Sequence, residues 1–278
     1  MRWAIRHRTA YRYASAVRDS FNEARVRPPS DPRQRLEYFE LTVSPAARVS
    51  CDPDFYGNWV DRFEVAGPHT ALEVESRAVV TTFARDCLAL DARPATLAEA
   101  RQAGQCQPCF DFVQASRFTD ISPETGRMAL DAMEGQTDAW QAALAIMRFV
   151  HGRMAYEPQA THVHTHAREA LAAGRGVCQD FAHAMISLCR AARIPARYVS
   201  GYLATQNVGG THAWTEVFIP SAGWVAVDPT HNSQPGETYV KLATGRDYDD
   251  VPPLRGAYRG TQERTMEVAV EISRAKEE

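Results

Sequence analysis

The chain has 278 residues, of which 45% are hydrophobic and 23% are charged, and its formal net charge at pH 7 is −3. These proportions are typical of a folded globular protein, and the length allows one large domain or two ordinary ones. A nucleic-acid-binding protein normally carries a concentrated basic excess, which this sequence lacks. We therefore expect no nucleic-acid partner.

No run of apolar residues approaches the roughly 18 that are needed to cross a bilayer. The start of the sequence is too interrupted by polar residues to match a secretory signal. The six cysteines lack the dense, regular spacing of a secreted disulfide framework, so we expect reduced thiols. Together these features predict a cytoplasmic protein that does not bind membranes.

Short runs of alternating apolar and polar residues fill the chain up to about residue 83 and predict antiparallel strands. Such runs lie at residues 9–13, 37–43 and 72–80, and turn-forming segments at 27–32 and 54–59 separate them. We predict a β-sandwich-like N-terminal domain over residues 1–88.

Helical spacing of apolar residues begins at about residue 91 and continues to residue 171. Trp140, Leu144, Met147 and Val150 share one stripe after an N-cap candidate at Asp138. A further helix is predicted to begin near residue 178, followed by strands at 197–205, 212–219, 224–228 and 265–273. We predict a second domain over residues 89–278, of the α+β class, that ends in a C-terminal strand.

Cys178 follows two glycines and precedes a helical segment, which predicts a position in the first turn of that helix. The free N–H groups and partial positive charge of a helix N-terminus favour a thiolate and can hold an oxyanion. This segment alone fits a packed, inert cysteine equally well. Its chemistry therefore depends on the residues that it meets.

His212 and Asp228 lie on two predicted strands that a turn at residues 220–223 joins into a hairpin. Strand alternation puts both side chains on one face, with Asp228 roughly opposite residues 212–214. A carboxylate fixes the tautomer of an imidazole, and an imidazole beside a thiol forms the ion pair that a cysteine nucleophile needs. We predict a catalytic triad of Cys178, His212 and Asp228.

The oxyanion hole is predicted to combine the backbone N–H of Cys178 with one side-chain donor. Gln179, Tyr156 and Gln159 are the candidates for that donor or for positioning. Trp214, two positions beyond His212, is interpreted either as a shield of the ion pair from water or as a core aromatic residue.

These segments resemble the transglutaminase-like superfamily, in particular its bacterial members described as cysteine proteases. The matching stretches lie at residues 176–183, 194–202, 212–217 and 224–230, and stretches at 7–13, 54–58 and 245–253 extend the likeness to nearly the whole chain. The resemblance implies a papain-like α+β core of helices and antiparallel sheet. It also implies a nucleophile at Cys178, a base at His212 and an orienting carboxylate at Asp228.

The function implied by the resemblance is that of a cysteine-nucleophile hydrolase or acyl transferase. It would act on peptide or glutamine-type amide bonds of a protein or peptide through a thioester on Cys178, with hydrolysis favoured over cross-linking. We expect no cofactor and no metal, and the sequence leaves the oligomeric state open.

Two alternatives come from other classes of protein. His162, His164 and His166 would lie on one side of a strand, and Cys106 and Cys109 have the spacing of half a zinc site, which together suggest a metal-binding protein. His166 also stands where the family more often has a proline, and the cysteine pair is not a family hallmark. The second alternative is a non-catalytic protein-interaction module.

Overall fold

The computed structural model describes residues 1–84, 94–205 and 210–275. Helices and antiparallel sheet occur together, and a β-rich region precedes the helices. This confirms the predicted α+β fold class. The predicted domain boundary at residues 88–89 lies outside the described residues.

The N-terminal region is built around one long strand. Strand β1 (Arg2–Ala24) is followed by β2 (Gln34–Ser44), β3 (Val49–Pro53), β4 (Trp59–Val65) and β5 (His69–Thr82). The first half of β1 pairs with β5, and its second half pairs with β4. Alternate residues of β1, beginning with Trp3, Ile5 and His7, are buried, as the period of a strand requires.

The middle of the chain is helical. Its helices are α1 (Leu97–Ala103), α2 (Pro123–Ala132), α3 (Ala139–Arg153), α4 (Ala167–Ala173) and α5 (Cys178–Ala191). Asp138 caps α3, as predicted, because its side chain accepts the backbone N–H of Gln141. Two short strands, β6 (Ala155–Tyr156) and β7 (Arg175–Gly176), pair in parallel just before α5.

Helix α5 is the centre of the second core. All its residues from 179 to 190 are buried, because α2, α3 and α4 pack on it from one side and a sheet covers the other. That sheet has the order β10-β9-β8-β11, with all neighbours antiparallel. Its strands are β8 (Ala196–Leu203), β9 (His212–Ile219), β10 (Gly223–Val227) and β11 (Tyr239–Gly245).

The end of the chain returns to the N-terminal region. Strand β12 (Leu254–Arg259) pairs with the second half of β1, and β13 (Arg264–Arg274) pairs with its first half. The predicted C-terminal strand therefore exists, but it extends the N-terminal sheet. The division into two domains stays a prediction.

The N-terminal sheet packs against the sheet that covers α5. Trp3, Ile5 and Val80 on one side form a buried cluster with Tyr202 and Leu242 on the other. Within the described ranges, no helix is both long enough and apolar enough to cross a lipid bilayer.

Candidate active site

The N-terminus of α5 is held by the acidic residue of its own first turn. The carboxylate Oδ2 of Asp180 accepts the backbone N–H of Val177 at 2.7 Å and the hydroxyl of Thr161 at 2.6 Å. Gly176 leaves room for this carboxylate, since a Cβ at position 176 would lie 2.6 Å from that oxygen. The glycine and the aspartate thus fix the direction in which the chain enters the helix.

Cys178 is the first residue of α5 and is partly exposed. The first N–H groups of a helix have no acceptor within the helix, so the backbone N–H of Cys178 is available to an external oxygen. The positive end of the helix dipole lies at the same place and stabilises negative charge on the thiol. The helix therefore presents a thiol and a backbone N–H donor from one residue.

The hairpin of β9 and β10 brings His212 and Asp228 together. Val227 lies opposite Thr215, so Asp228 follows at the level of Trp214, within the predicted range. Nε2 of His212 lies 2.8 Å from Oδ2 of Asp228, and both side chains are buried, Asp228 completely. Since Nε2 faces the carboxylate, Nδ1 is the ring nitrogen that remains for the thiol.

The charged forms of His212 and Asp228 stabilise each other. Burial lowers the pKa of His212, but hydrogen bonds to Asp228 and to Cys178 outweigh it and raise the pKa to about 9. Burial raises the pKa of Asp228, but hydrogen bonds from its neighbours, His212 first, lower it to about 2. Both directions favour an imidazolium paired with a carboxylate.

Two residues that the sequence analysis missed also bind Asp228. Nδ1 of His231 lies 2.7 Å and the hydroxyl of Tyr239 lies 2.8 Å from the same Oδ2 that faces His212. A carboxylate only accepts hydrogen bonds, so all three groups donate to it. His231 follows Asp228 by three residues in a turn, a spacing that could have indicated it; Tyr239 comes from β11, and no local pattern points to it.

Trp214 covers one face of the histidine. Its ring is nearly parallel to the ring of His212, with centroids 6.0 Å apart, and it meets Tyr239 edge-on. Gly201 on β8 makes this position possible, because a Cβ there would come within 2.4 Å of the indole. Trp214 is almost fully buried. Trp214 is therefore a core residue, and its role as a shield of the ion pair stays a prediction.

The three candidate oxyanion donors occupy different surroundings. The side chain of Gln179 donates to the carbonyl of Val163 at 3.1 Å, so this amide is already engaged. Tyr156 is exposed, and burial of part of its side chain, followed by the interaction with Cys178, raises the pKa of its hydroxyl. Gln159 is exposed, and no hydrogen bond joins it to the site within the described ranges. Among the three, Tyr156 is the one whose pKa Cys178 affects.

The predicted strand arrangement of His162, His164 and His166 is wrong. The N–H of His162 donates to the hydroxyl of Thr165 and its carbonyl accepts the N–H of Thr165, so these residues form a turn. His166 then caps α4. A turn does not align alternate side chains, which removes the geometric reason for a site there.

A possible metal site lies elsewhere, inside the candidate active site. Among the residues that the structure describes, the ligand atoms close enough for one ion belong to His212, Asp228 and His231 and lie within 4.8 Å of one another. Hydrogen bonds to Asp228 already explain why these atoms are close. Cys106 is exposed and Cys109 is buried, both as free thiols, and neither belongs to this group.

Known protein families match both the N-terminal region and the region that contains the candidate active site. The model of the transglutaminase-like superfamily matches residues 127–229, which include Cys178, His212 and Asp228, and the model of the bacterial transglutaminase-like N-terminal region matches residues 3–81. An uncharacterized protein of Mycobacterium leprae is 33% identical over 282 residues, which cover 98% of this chain and 99% of that protein. The chain belongs to the transglutaminase-like superfamily.

One solved structure and one further protein are also similar to this chain. A structure of a proposed cysteine protease from Cytophaga hutchinsonii superposes with a TM-score of 0.82 at 23% identity, covering 100% of this chain and 92% of that one. It shares the fold, which confirms the predicted papain-like core. A protein-glutamine gamma-glutamyltransferase of Pseudomonas aeruginosa is 38% identical over 144 residues, which cover 45% of this chain and 21% of that protein.

Proposed function

We propose that the protein is a cysteine-nucleophile amide hydrolase that forms a thioester on Cys178. The observation that carries this proposal is the pairing of His212 with a fully buried carboxylate at 2.8 Å, together with the interaction with Cys178 at the start of α5 that helps to raise the pKa of this imidazole. An imidazole held in this way can keep a thiolate ready and can transfer a proton.

The reaction would begin with attack of the Cys178 sulfur on the carbonyl carbon of an amide. The backbone N–H of Cys178 and the hydroxyl of Tyr156 would stabilise the negative oxygen. Nδ1 of His212 would then give its proton to the departing nitrogen as the C–N bond breaks, leaving a thioester and a neutral imidazole. Asp228 would hold the ring in place and stabilise its positive charge.

Water would complete the cycle: neutral His212 takes a proton from the attacking molecule, the C–S bond breaks to release the acid, and the Cys178 thiolate and the His212 imidazolium are restored. We favour hydrolysis over cross-linking because water needs no binding site of its own, whereas an amine acceptor does. The Pseudomonas relative is a protein-glutamine gamma-glutamyltransferase. We therefore include glutamine side-chain amides with peptide bonds in the proposed substrate class. A cytoplasmic location and a protein or peptide substrate remain predictions.

The test uses glutamine-containing peptides with and without an added primary amine. We expect the parent protein to release ammonia or cleave the peptide, and the Cys178→Ala variant to do neither. Cys106→Ala is the matched control, because Cys106 is also accessible but lies outside the site. Retained turnover in Cys178→Ala, with normal folding, would contradict the proposal.

A further inference from the structure

A groove runs between the N-terminal sheet and the catalytic region. It consists of two adjoining hollows of about 530 Å³ and 310 Å³. The hollows share Tyr11 from β1, Leu254 from β12, Met266 from β13 and Tyr248 from the catalytic side, so they form one continuous groove. One of its walls thus comes from the N-terminal sheet and its C-terminal strands.

Both parts of the groove come close to the elements that carry the candidate catalytic residues. Val163 lines the larger hollow, and its carbonyl accepts the side chain of Gln179, the neighbour of Cys178. Thr211 lines the smaller hollow and directly precedes His212. A chain lying in the groove would therefore pass close to the start of α5 and the start of β9, the two elements that carry Cys178 and His212.

The charge of the groove is strongly one-sided. Arg117, Arg255 and Arg264 line the larger hollow, and Asp249 is the sole carboxylate among its described lining residues. One oxygen of Asp249 pairs with both Arg117 and Arg255 at 3.0 Å. The guanidinium of Arg264 lies over the rings of Tyr11 and Tyr258, and no ion pair involves it in the described part of the chain. Three positive charges thus face one negative charge.

The groove also exposes apolar surface. Met266 is 59% exposed and Val163 is 48% exposed. Exposed apolar groups inside a groove with a polar rim are typical of a binding site. Here the rim is basic, so the complementary partner carries acidic residues around an apolar one.

We propose that this groove binds an acidic segment of the substrate polypeptide next to the amide that Cys178 attacks. Glutamate or aspartate side chains of that segment meet Arg264, Arg117 and Arg255, and an apolar side chain rests on Met266 and Leu254. The N-terminal sheet is then part of the substrate-binding surface. This inference rests on the proposed hydrolase function. It narrows the proposed substrates to polypeptides with acidic residues near the amide that is attacked.

The first test compares glutamine peptides that differ in their flanking residues, Glu-Leu in one set and Lys-Leu in the other. We expect a higher kcat/KM for the acidic set, with the preference lost at about 1 M NaCl, where the screening length falls to about 3 Å. Arg264→Gln should reduce the ratio between the sets by about two- to fivefold, as expected for one exposed charge pair, and Arg264→Glu should reduce it further.

Arg127→Gln is the matched control, since Arg127 is exposed on α2 and does not line the groove. Equal kcat/KM for the two peptide sets, or an Arg264→Glu variant that keeps the parent's preference, would overturn the groove assignment while leaving the hydrolase intact.

A second measurement separates the groove from the chemistry. Fluorescence anisotropy of a labelled acidic peptide with the Cys178→Ala variant reports binding without turnover. We expect tighter binding of the acidic than of the basic peptide, and weaker binding after Arg264→Glu is added. Selective binding in this assay without any turnover by the parent would support the groove and contradict the hydrolase. Equal binding of both peptides would contradict the groove.

Discussion

One oxygen of Asp228 receives hydrogen bonds from His212, His231 and Tyr239. The hydrogen bond to this carboxylate helps to set the pH up to which His212 stays protonated. The pKa of His212 is raised to about 9, so its imidazolium form persists above the ordinary value of 6.5 and is lost as the pH rises through about 9. Activity that needs the imidazolium should fall over that alkaline range.

Asp228→Asn should remove the charge that raises the pKa of His212. We expect the alkaline limb of the kcat/KM profile to move to lower pH, and kcat to fall by on the order of 10²- to 10⁴-fold, the upper value being that of the same substitution in a serine-protease triad. Asp131→Asn, at an exposed position on α2, is the control. An unchanged alkaline limb in Asp228→Asn would show that another residue orients His212.

Tyr239→Phe removes one donor to Asp228 and also the hydrogen bond between the Tyr239 hydroxyl and Ser233, while the aromatic ring stays. A hydrogen bond to a charged group contributes about 1.5–3 kcal/mol, so we expect a loss of about 2 kcal/mol in the free energy of unfolding near neutral pH. The depressed pKa of Asp228 stabilises the fold above about 3.9, its unfolded value, and this contribution disappears as the pH falls towards about 2. Urea unfolding should therefore show the variant losing less stability than the parent on acidification. A parallel loss in both proteins would contradict this role.

At the residue scale, the sequence predicts those contacts that strand alternation and short turns determine. His212 and Asp228 were found because strand alternation and a short turn relate them. The bond from Tyr239 to Asp228 depends on β11, which reaches the hairpin only through β8. A contact of that kind follows from the sheet order, and no spacing along the chain indicates it.

The start of α5 is the element on which the nucleophile depends. Gly176→Ala would bring a Cβ to 2.6 Å from the Asp180 carboxylate that holds this turn, so the turn or the carboxylate must move. Misplacement of a catalytic group by about 1 Å can reduce the rate by about 10²-fold, and we expect a loss of kcat of that order.

Gly126→Ala on α2 provides the matched control, because no heavy atom lies within 4 Å of the added Cβ. Glycine inside a helix is destabilising relative to alanine by roughly 0.5–1 kcal/mol, so the control should be as active as the parent and slightly more stable. Thermal unfolding and steady-state kinetics of both variants check the prediction. Full activity of Gly176→Ala would contradict the proposed role of this turn.

Elements with strong periodicity were predicted well, since α5, β9 and β10 begin and end close to the expected residues. The metal-binding alternative required a strand at residues 162–166, because alternating histidines imitate strand periodicity. The hydroxyl of Thr165 instead closes a turn on the N–H of His162. A side chain that bonds the backbone locally competes with sheet formation, and residue alternation alone does not reveal it.

At the scale of the whole molecule, the N-terminal sheet packs on the catalytic sheet through a buried cluster that includes His7 and Tyr202. Nδ1 of His7 lies 2.8 Å from the Tyr202 hydroxyl, and burial lowers the pKa of His7 to about 4. Between about pH 6.5 and 4 the unfolded chain binds a proton that the folded protein does not, so stability falls as the pH is lowered through this range.

His7→Gln should remove part of that pH dependence while keeping an acceptor for Tyr202. We expect the slope of unfolding free energy against pH between 6.5 and 4 to decrease by up to about 1.4 kcal/mol per pH unit. His183, whose pKa burial also lowers, acts in the same direction and remains in both proteins. Chemical unfolding at several pH values measures the slope, and an identical slope in parent and variant would contradict the buried, neutral state of His7.

The pairing of the two chain ends could not be predicted from the sequence. The alternation at residues 265–273 indicated a strand, but its partner β1 lies more than two hundred residues away in the chain. This pairing places residues of β12 and β13 in the wall of the groove. The family resemblance predicted the catalytic core, whereas the groove depends on how the two sheets meet.

The central claim is that Cys178 forms a covalent acyl intermediate. The most direct measurement is acid quenching of the parent protein during turnover of a glutamine peptide, followed by mass spectrometry of the intact protein and of its proteolytic fragments. We predict a mass increase equal to the acyl group, located on the fragment that contains Cys178 and absent from Cys178→Ala. An acyl group on a different residue, or product formation with no acyl-enzyme in a quench fast enough to trap it, would contradict the claim.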